Sequence, residues 1–144
     1  MEKTAAKKQY TKTQNLTRIA LGAMLVTAGI SHLTFARKEF QAQVPDWVPV
    51  DKDTTVLLSG VAEIALGASI IALKKERQTV GVVAASFFAA VFPGNISQYK
   101  NHRDAFGLDT DNKRFARLFF QPVLIGWALW GSGALNKKKQ KALR

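Results

Sequence analysis

Cysteine is absent from the chain of 144 residues, which excludes disulfides, thiol catalysis and iron–sulfur ligation by the chain itself. Histidine is scarce, since only His32 and His102 occur, and neither belongs to an HxxxH or HExxH pattern. We therefore expect no metal site. A glycine-rich phosphate loop, a nucleophile elbow and a hydrolytic triad with convincing spacing are also missing. The sequence contains no self-contained catalytic motif and demonstrates no cofactor, and it leaves open whether the protein is an enzyme.

Acidic side chains are few: 10 Asp and Glu stand against 21 Lys and Arg, giving a net charge of +11. Such averages suit a small basic soluble protein that binds nucleic acid. The charges, however, lie between apolar runs or at the termini, and no run shows a basic stripe with interleaved aromatic residues. We expect no nucleic-acid partner.

The chain is instead organised by four long apolar runs, about 16–35, 54–73, 79–98 and 115–135. As a helix, each reaches about 30 Å, the thickness of a bilayer hydrocarbon core. The sequence predicts an all-α fold, a four-transmembrane-helix bundle over residues 16–135, between a disordered basic tail (1–15) and a second basic tail (136–144). A signal peptide is an alternative for the first run, but that run is too long and lacks a small-x-small cleavage site.

The distribution of positive charge predicts the orientation. Most of the 21 lysines and arginines lie in the two tails and the turn at 74–78, which favours cytoplasmic N- and C-termini. Two long connections, 36–53 and 99–114, then face outward. We predict a multi-pass protein integral to the plasma membrane, of bacterial type, with the lipid bilayer as its first partner.

Polar side chains interrupt the runs at comparable depths. Glu63 is the only charged residue in its run, and a carboxylate there costs about 2.5–3.5 kcal/mol. His32, Asn95 and Gln121 lie in the outer half of the other three runs, and Arg117 opens the last. We predict that these five residues surround a polar pocket that opens outward.

Three further features frame this predicted pocket. Pro45, Trp47 and Pro49 lie in the first long connection, where proline breaks helix and the apolar residues suit a membrane surface, so we predict a lid there. Pro93 and Gly94 predict a kink near the end of the third helix.

Each candidate also has a purely structural interpretation. His32 caps carbonyls or sits among headgroups, Asn95 satisfies carbonyls that the kink frees, and Gln121 bridges helices. Glu63 forms a structural pair with His32 or Arg117 and is protonated or paired at neutral pH. Arg18 and Arg117, at helix starts, snorkel toward the membrane surface.

Four segments in this order, GISHLTFARKEFQAQVPDWVP, SGVAEIALG, FPGNI and RLFFQPVLIGWALW, resemble the DoxX-like family over roughly residues 16–135. The resemblance implies a four-helix integral membrane protein, related to subunits of quinone-dependent sulfur oxidation and to proteins of redox stress. The positions that match the family pattern are His32, Val44, Pro45, Trp47 to Pro49, Glu63, Phe92, Pro93, Asn95, Arg117 and Gln121. Gly94 departs from it, because alanine is expected there.

Two classes of function follow, with a scaffold as a third. In the first, the protein is a redox-associated membrane component that binds a quinone, with Glu63 as proton acceptor or relay, and electrons come from a bound cofactor or a redox partner protein. In the second, it is a non-enzymatic protein for binding or permeation of a lipid or small apolar solute, or for assembly of a partner. In the third, it is a scaffold that forms a homo-oligomer.

Overall fold

The computed structural model describes residues 10–105 and 107–136, and these form helices and connections without a β-strand. Six helices lie within these ranges: α1 (Lys12–Leu33), α2 (Arg37–Phe40), α3 (Lys52–Ala72), α4 (Arg77–Lys100), α5 (Asp111–Leu118) and α6 (Phe120–Gly131). A 3-10 turn, Gln41–Gln43, follows α2 directly. The predicted all-α fold class is confirmed for the described part of the chain.

Helices α1, α3 and α4 are each long and apolar enough to cross a membrane. They correspond to the first three predicted spans, with ends moved by a few residues. α1 begins at Lys12, inside the predicted tail, because Thr11 and Gln14 form a reciprocal capping box. The remainder of that tail, 1–9, and most of the C-terminal tail, 137–144, lie outside the described residues.

The fourth predicted span, 115–135, is not one helix. Pro122 has no N–H to donate to the carbonyl of Leu118, and the chain divides there into α5 and α6. Phe119 lies between them and donates its N–H to Ala116 in a tighter, 3-10-type bond of 3.2 Å. At about 1.5 Å per residue, α6 is about 18 Å long, so by itself it does not reach across the hydrocarbon core.

The helices pack as two close pairs. α1 lies most extensively against α3, and α4 against α6, while contacts between α1 and α6 join the pairs. α3 and α4 touch more sparingly, although the turn between them is short. The buried apolar core consists of Leu21, Leu25, Ile70, Val80, Ala84, Ala85, Phe88 and Ala128.

Glycines bring the backbones of α1 and α3 together at two heights. A Cβ atom on Gly60 would lie 3.0 Å from the carbonyl oxygen of Gly29, and one on Gly22 would lie 2.8 Å from that of Gly67. A side chain at either position would force the helices apart, most clearly at Gly22, where the contact is below 3.0 Å. Small residues of this kind allow close packing of helices in membranes, and here they fix how the two helices face each other.

Large apolar side chains cover the outside of the bundle. Leu16, Leu58 and Val123 are 69%, 62% and 63% exposed. In the apolar window of α3, only 22% of the residues are buried inside the protein. An apolar exterior suits contact with lipid rather than water.

Two buried arginines hold the end of the bundle where α1 begins. Arg18 donates from Nη1 to the carbonyl oxygens of Ile70 and of Ile71, the latter at 3.2 Å, near the C-terminus of α3. Because Arg18 is only 4% exposed, the prediction that it snorkels to the membrane surface is wrong: its guanidinium binds carbonyls at the end of α3 that have no partner within that helix.

Arg77 does the same for α6. It donates to the carbonyl oxygens of Ser132 at 3.0 Å and Gly131 at 2.9 Å, and to Asn15 Oδ1 at 2.6 Å. A cation at a helix C-terminus also interacts favourably with the helix dipole. We call this the arginine end of the bundle.

Candidate functional site

At the opposite end, close packing of α1 on α3 places His32 against the face of α3 that carries Ser59 and Glu63. His32 Nδ1 lies 3.0 Å from Ser59 Oγ, and its Nε2 lies 3.4 Å from Glu63 Oε2. The side chains of His32 and Glu63 are only 8% and 12% exposed. The predicted pairing of Glu63 with His32 is therefore present.

The hydrogen bonds define how many protons this pair holds. The Ser59 hydroxyl donates to the carbonyl oxygen of Val56 at 2.9 Å, so it accepts from His32, and Nδ1 carries a hydrogen. Nε2 and the carboxylate then attract each other only if one further proton lies on either of them. With that proton the pair is neutral as a whole, whether it is imidazole with carboxylic acid or imidazolium with carboxylate.

Asn95 of α4 and Gln121 of α6 meet beside this pair. Asn95 Nδ2 donates to Gln121 Oε1 at 3.2 Å, and Gln121 Nε2 donates to the carbonyl oxygen of Phe88 at 2.7 Å. Gln121 thus bridges two helices, as its structural interpretation predicts. Asn95 does not bind a backbone carbonyl, contrary to its structural interpretation, because the amide of Gln121 reaches the α4 backbone instead.

Three buried polar atoms of the predicted pocket lack a hydrogen bond within the described residues: Glu63 Oε2, Asn95 Oδ1 and Arg117 Nη1. For Glu63 the contact with His32 is the compensation. Arg117 lies near the end of α5, with its guanidinium 5.6 Å from the ring centre of Phe120. Its predicted alternative pairing with Glu63 is not among the observed contacts. Buried polar atoms without partners are uncommon in proteins and require an explanation.

A cavity of about 220 Å³ separates these atoms. All five predicted pocket residues line it, so the structure brings together what the sequence proposed. The rest of the wall is mainly apolar. The lining consists of His32, Phe40, Gln43, Val44, Pro45, Trp47, Val48, Thr55, Val56, Ser59, Glu63, Phe87, Phe88, Ala90, Val91, Pro93, Gly94, Asn95, Arg117, Gln121 and Leu124.

Two of the three residues of the predicted lid, Pro45 and Trp47, line the cavity, and Trp47 is 74% exposed. Pro49 is exposed and is not part of the lining. The chain at that point already leads to the N-cap of α3 at Asp51.

The loop between α2 and α3 is fastened across the cavity by residues that sequence reasoning missed. Arg103 donates to the carbonyl oxygen of Val44 at 2.9 Å and to Asp46 at 2.7 Å. Gln43 donates to Gln98 at 3.1 Å. Nothing in the apolar periodicity signals these contacts, since they join distant polar residues.

Pro93 and Gly94 lie inside α4, which continues to Lys100 without ending at them. Gly94 is buried, and a Cβ atom there would collide with the carbonyl oxygen of Gln43. Glycine at this position therefore makes room for the loop, a role that the predicted kink did not anticipate.

The described residues contain no group of three or more His, Cys, Asp or Glu side chains placed to hold a metal ion. The polar atoms around the cavity are instead suited to hydrogen bonding, with a cationic donor at Arg117, an amide acceptor at Asn95 and a proton-holding pair at His32 and Glu63. Groups of this kind are able to form hydrogen bonds with oxygen atoms of a ligand.

A family model described as "Domain of unknown function (DUF8561)" matches residues 21–132. The chain belongs to this family. The matched range contains all five predicted pocket residues and the loop beside them, so the cavity lies entirely within the DUF8561 domain. No curated protein and no solved structure matches the chain.

Proposed function

We propose that the protein is a DoxX-like, redox-associated component of the membrane that binds a quinone or a similar carbonyl-bearing ring in the cavity. The observation that carries the proposal is that Arg117 and Asn95 line a mainly apolar cavity, and that each has a buried polar atom, Nη1 and Oδ1, without a hydrogen bond within the described residues. Leaving a buried polar atom without a partner costs about 1–3 kcal/mol. A ligand oxygen that accepts from Arg117 relieves part of that cost.

The size and walls of the cavity support a ring. An engineered apolar cavity of about 150 Å³ takes up benzene, and this cavity, at about 220 Å³, has room for one larger ring. Phe87, Phe88 and Leu124 supply apolar surface, and ring contacts of this kind are favourable.

The His32–Glu63 pair supplies the proton chemistry. Reduction of a quinone to a quinol takes up two electrons and two protons, and the pair lies next to the cavity, where it would relay the two protons one after the other. Proton relays in membrane proteins are commonly built from such histidines and carboxylates. The electrons come from a bound cofactor or a redox partner protein.

We further propose that α5 and α6 complete a four-helix bundle in the plasma membrane of a bacterial-type cell, with both termini in the cytoplasm. The packing of α6 on α1 and α4 supports the fourth helix. The concentration of positive charge at the arginine end, in the 74–78 turn, supports the orientation. The cavity and its loop then face outward.

The test is to purify wild-type protein and Glu63→Gln in native lipid discs, extract bound small molecules and identify them by mass spectrometry. The proposal predicts a quinone or another redox-active ring that is enriched in the wild type only. Ordinary phospholipid alone in both samples would contradict it.

The apolar majority of the wall favours a second candidate, binding or permeation of a lipid or small apolar solute without redox chemistry, or support for assembly of a partner. In that case Asn95 and Gln121 serve mainly to join α4 and α6, as they would in a scaffold that forms a homo-oligomer. Wild-type protein free of any redox-active ring that still changes membrane permeability or partner yield would support this candidate.

A further inference from the structure

The charge of the cavity wall is determined by three side chains. Among the lining residues only His32, Glu63 and Arg117 are titratable. The hydrogen bond from His32 to Ser59 and the contact with Glu63 give the first two one shared proton and a net charge of zero. Arg117 adds a positive charge, since a guanidinium stays protonated in proteins.

That positive charge has no counterion within the described residues. None of the ion pairs there includes Arg117: they join Asp53 to Arg37, Asp46 to Lys52 and Arg103, Asp104 to Arg114, Asp109 to Lys113, and Asp111 to Arg114 and His102. Glu63 contacts His32 and not Arg117. The observed contact of the Arg117 guanidinium is with the Phe120 ring.

A half-buried cation without a counterion among the described residues is costly, and an anion from outside the chain compensates it. We propose that the cavity binds its ring as a monoanion, with the negatively charged oxygen at the Arg117 guanidinium. This inference rests on the proposed function and narrows its ligand to an ionised hydroxyquinone or the semiquinone anion, in place of a neutral quinone. A charge-assisted hydrogen bond to guanidinium is the strongest kind available in this cavity.

The other titratable side chains of the wall are compatible with an anion. The His32–Glu63 pair lies in the same wall and keeps its proton, so it is neutral and adds no negative charge that would repel the monoanion. The cavity therefore places the charged oxygen of the ring at Arg117.

The experiment compares two rings that differ by one ionised oxygen. Binding of 1,4-naphthoquinone and of 2-hydroxy-1,4-naphthoquinone, which is an anion at neutral pH, is measured on wild-type protein in lipid discs against empty discs. We expect the anion to bind about tenfold more tightly or better. In Arg117→Gln this preference is lost while the neutral ring still binds, and in Arg117→Lys part of the preference returns.

Lys113→Gln is the matched control, because it removes the same charge from an exposed position on the same helix, outside the cavity. It should leave the preference unchanged. The inference that the ring binds as a monoanion would be overturned by equal binding of both rings to the wild type, or by an equal loss of preference in Lys113→Gln. Either result would leave the quinone proposal unaffected. If neither ring binds to the wild type, the proposed function itself fails, and the monoanion with it.

Discussion

The two ends of the bundle use buried polar side chains in opposite ways. At the arginine end, Arg18 and Arg77 donate to carbonyls of Ile70 and Gly131, where α3 and α6 finish. At the cavity end, Arg117 Nη1 remains without a hydrogen bond among the described residues. Both ends cost free energy of desolvation, and among the described residues the arginine end recovers more of it, although Arg18 Nε also lacks a partner. The bonds at the arginine end hold the bundle together, whereas the cavity end carries the site that we propose for a ligand.

The largest effect expected from this difference is in Arg77→Met. The change removes three hydrogen bonds, to Ser132, Gly131 and Asn15, and leaves buried acceptors unpaired, so we expect a loss of about 3 kcal/mol or more in the free energy of unfolding. Thermal unfolding in lipid discs, followed by circular dichroism, measures it. Lys75→Met, at an exposed position of the preceding turn, is the control. Equal stability of the two variants would show that the hydrogen bonds of Arg77 do not stabilise the arginine end.

Glycine substitutions between α1 and α3 test whether helix packing and ligand binding can be changed separately. A Cβ atom on Gly67 would meet Val26 and one on Gly60 would lie 2.7 Å from His32 Cβ, so Gly67→Ala and Gly60→Ala should each lose about 1–3 kcal/mol through overpacking. Only Gly60→Ala should also weaken ring binding, since it displaces His32.

Gly126 provides the control for both, because a Cβ atom there meets nothing within 4 Å. Gly126→Ala should be neutral or stabilising by up to about 1 kcal/mol, since alanine favours helix. Calorimetry measures the stability of the three variants, and titration with the ring measures their binding. Ring binding that falls equally in Gly60→Ala and Gly67→Ala would show that the site depends on the whole bundle.

The effect of Arg117→Met on the free energy of unfolding should have the opposite sign from that of Arg77→Met. It removes a buried charge without a counterion, so stability should stay constant or rise by about 1 kcal/mol while ring binding falls. The same thermal unfolding experiment applies. A loss as large as that of Arg77→Met would mean that Arg117 is structural, and the distinction between the ends would disappear.

The smallest effect concerns pH and the loop over the cavity. Hydrogen bonds from Lys52 and Arg103 lower the pKa of Asp46 below its ordinary value of 3.8. Because the folded pKa lies below the unfolded one, the stabilising contact is present above the ordinary value and is lost as the pH falls through the folded value. Quenching of Trp47 fluorescence by acrylamide should therefore increase in acid, in protein that carries Trp127→Phe and Trp130→Phe.

Asp46→Asn is the control for this titration. It removes the ionisable group, so Trp47 should be more accessible at neutral pH and should change less as the pH falls. An acid transition of the same size in Asp46→Asn would assign the change to another group.

Much of the fold follows from the hydropathy of the sequence. Part of the site follows from the depth at which its residues lie in the predicted membrane spans. The apolar runs identified α1, α3 and α4, because a bilayer imposes both length and composition. Counting residues along the runs placed His32 in the outer half of the membrane and Glu63 near its centre, and in the structure the two side chains meet. Their contact also depends on how α1 and α3 are offset along their axes, which the count does not give.

The remainder depends on contacts that periodicity does not encode. The split at Phe119 requires weighing Pro122 against an otherwise continuous apolar run. The burial of Arg18 depends on where α3 ends. The attachment of the loop between α2 and α3 depends on the hydrogen bond from Arg103 to the carbonyl oxygen of Val44. A single sequence does not distinguish such partners from other polar residues of the same type.

The paired glycines of α1 and α3 have a consequence for how this protein can change over evolution. Gly22 and Gly29 lie two helical turns apart, as do Gly60 and Gly67, and each faces its counterpart. The two contacts fix the register of α1 on α3 and so place positions 32 and 63 opposite each other. Because the glycines carry this register, we expect that exchange of the histidine and the glutamate would leave the helix pair in place, so that the chemistry of the site could change without a change of fold.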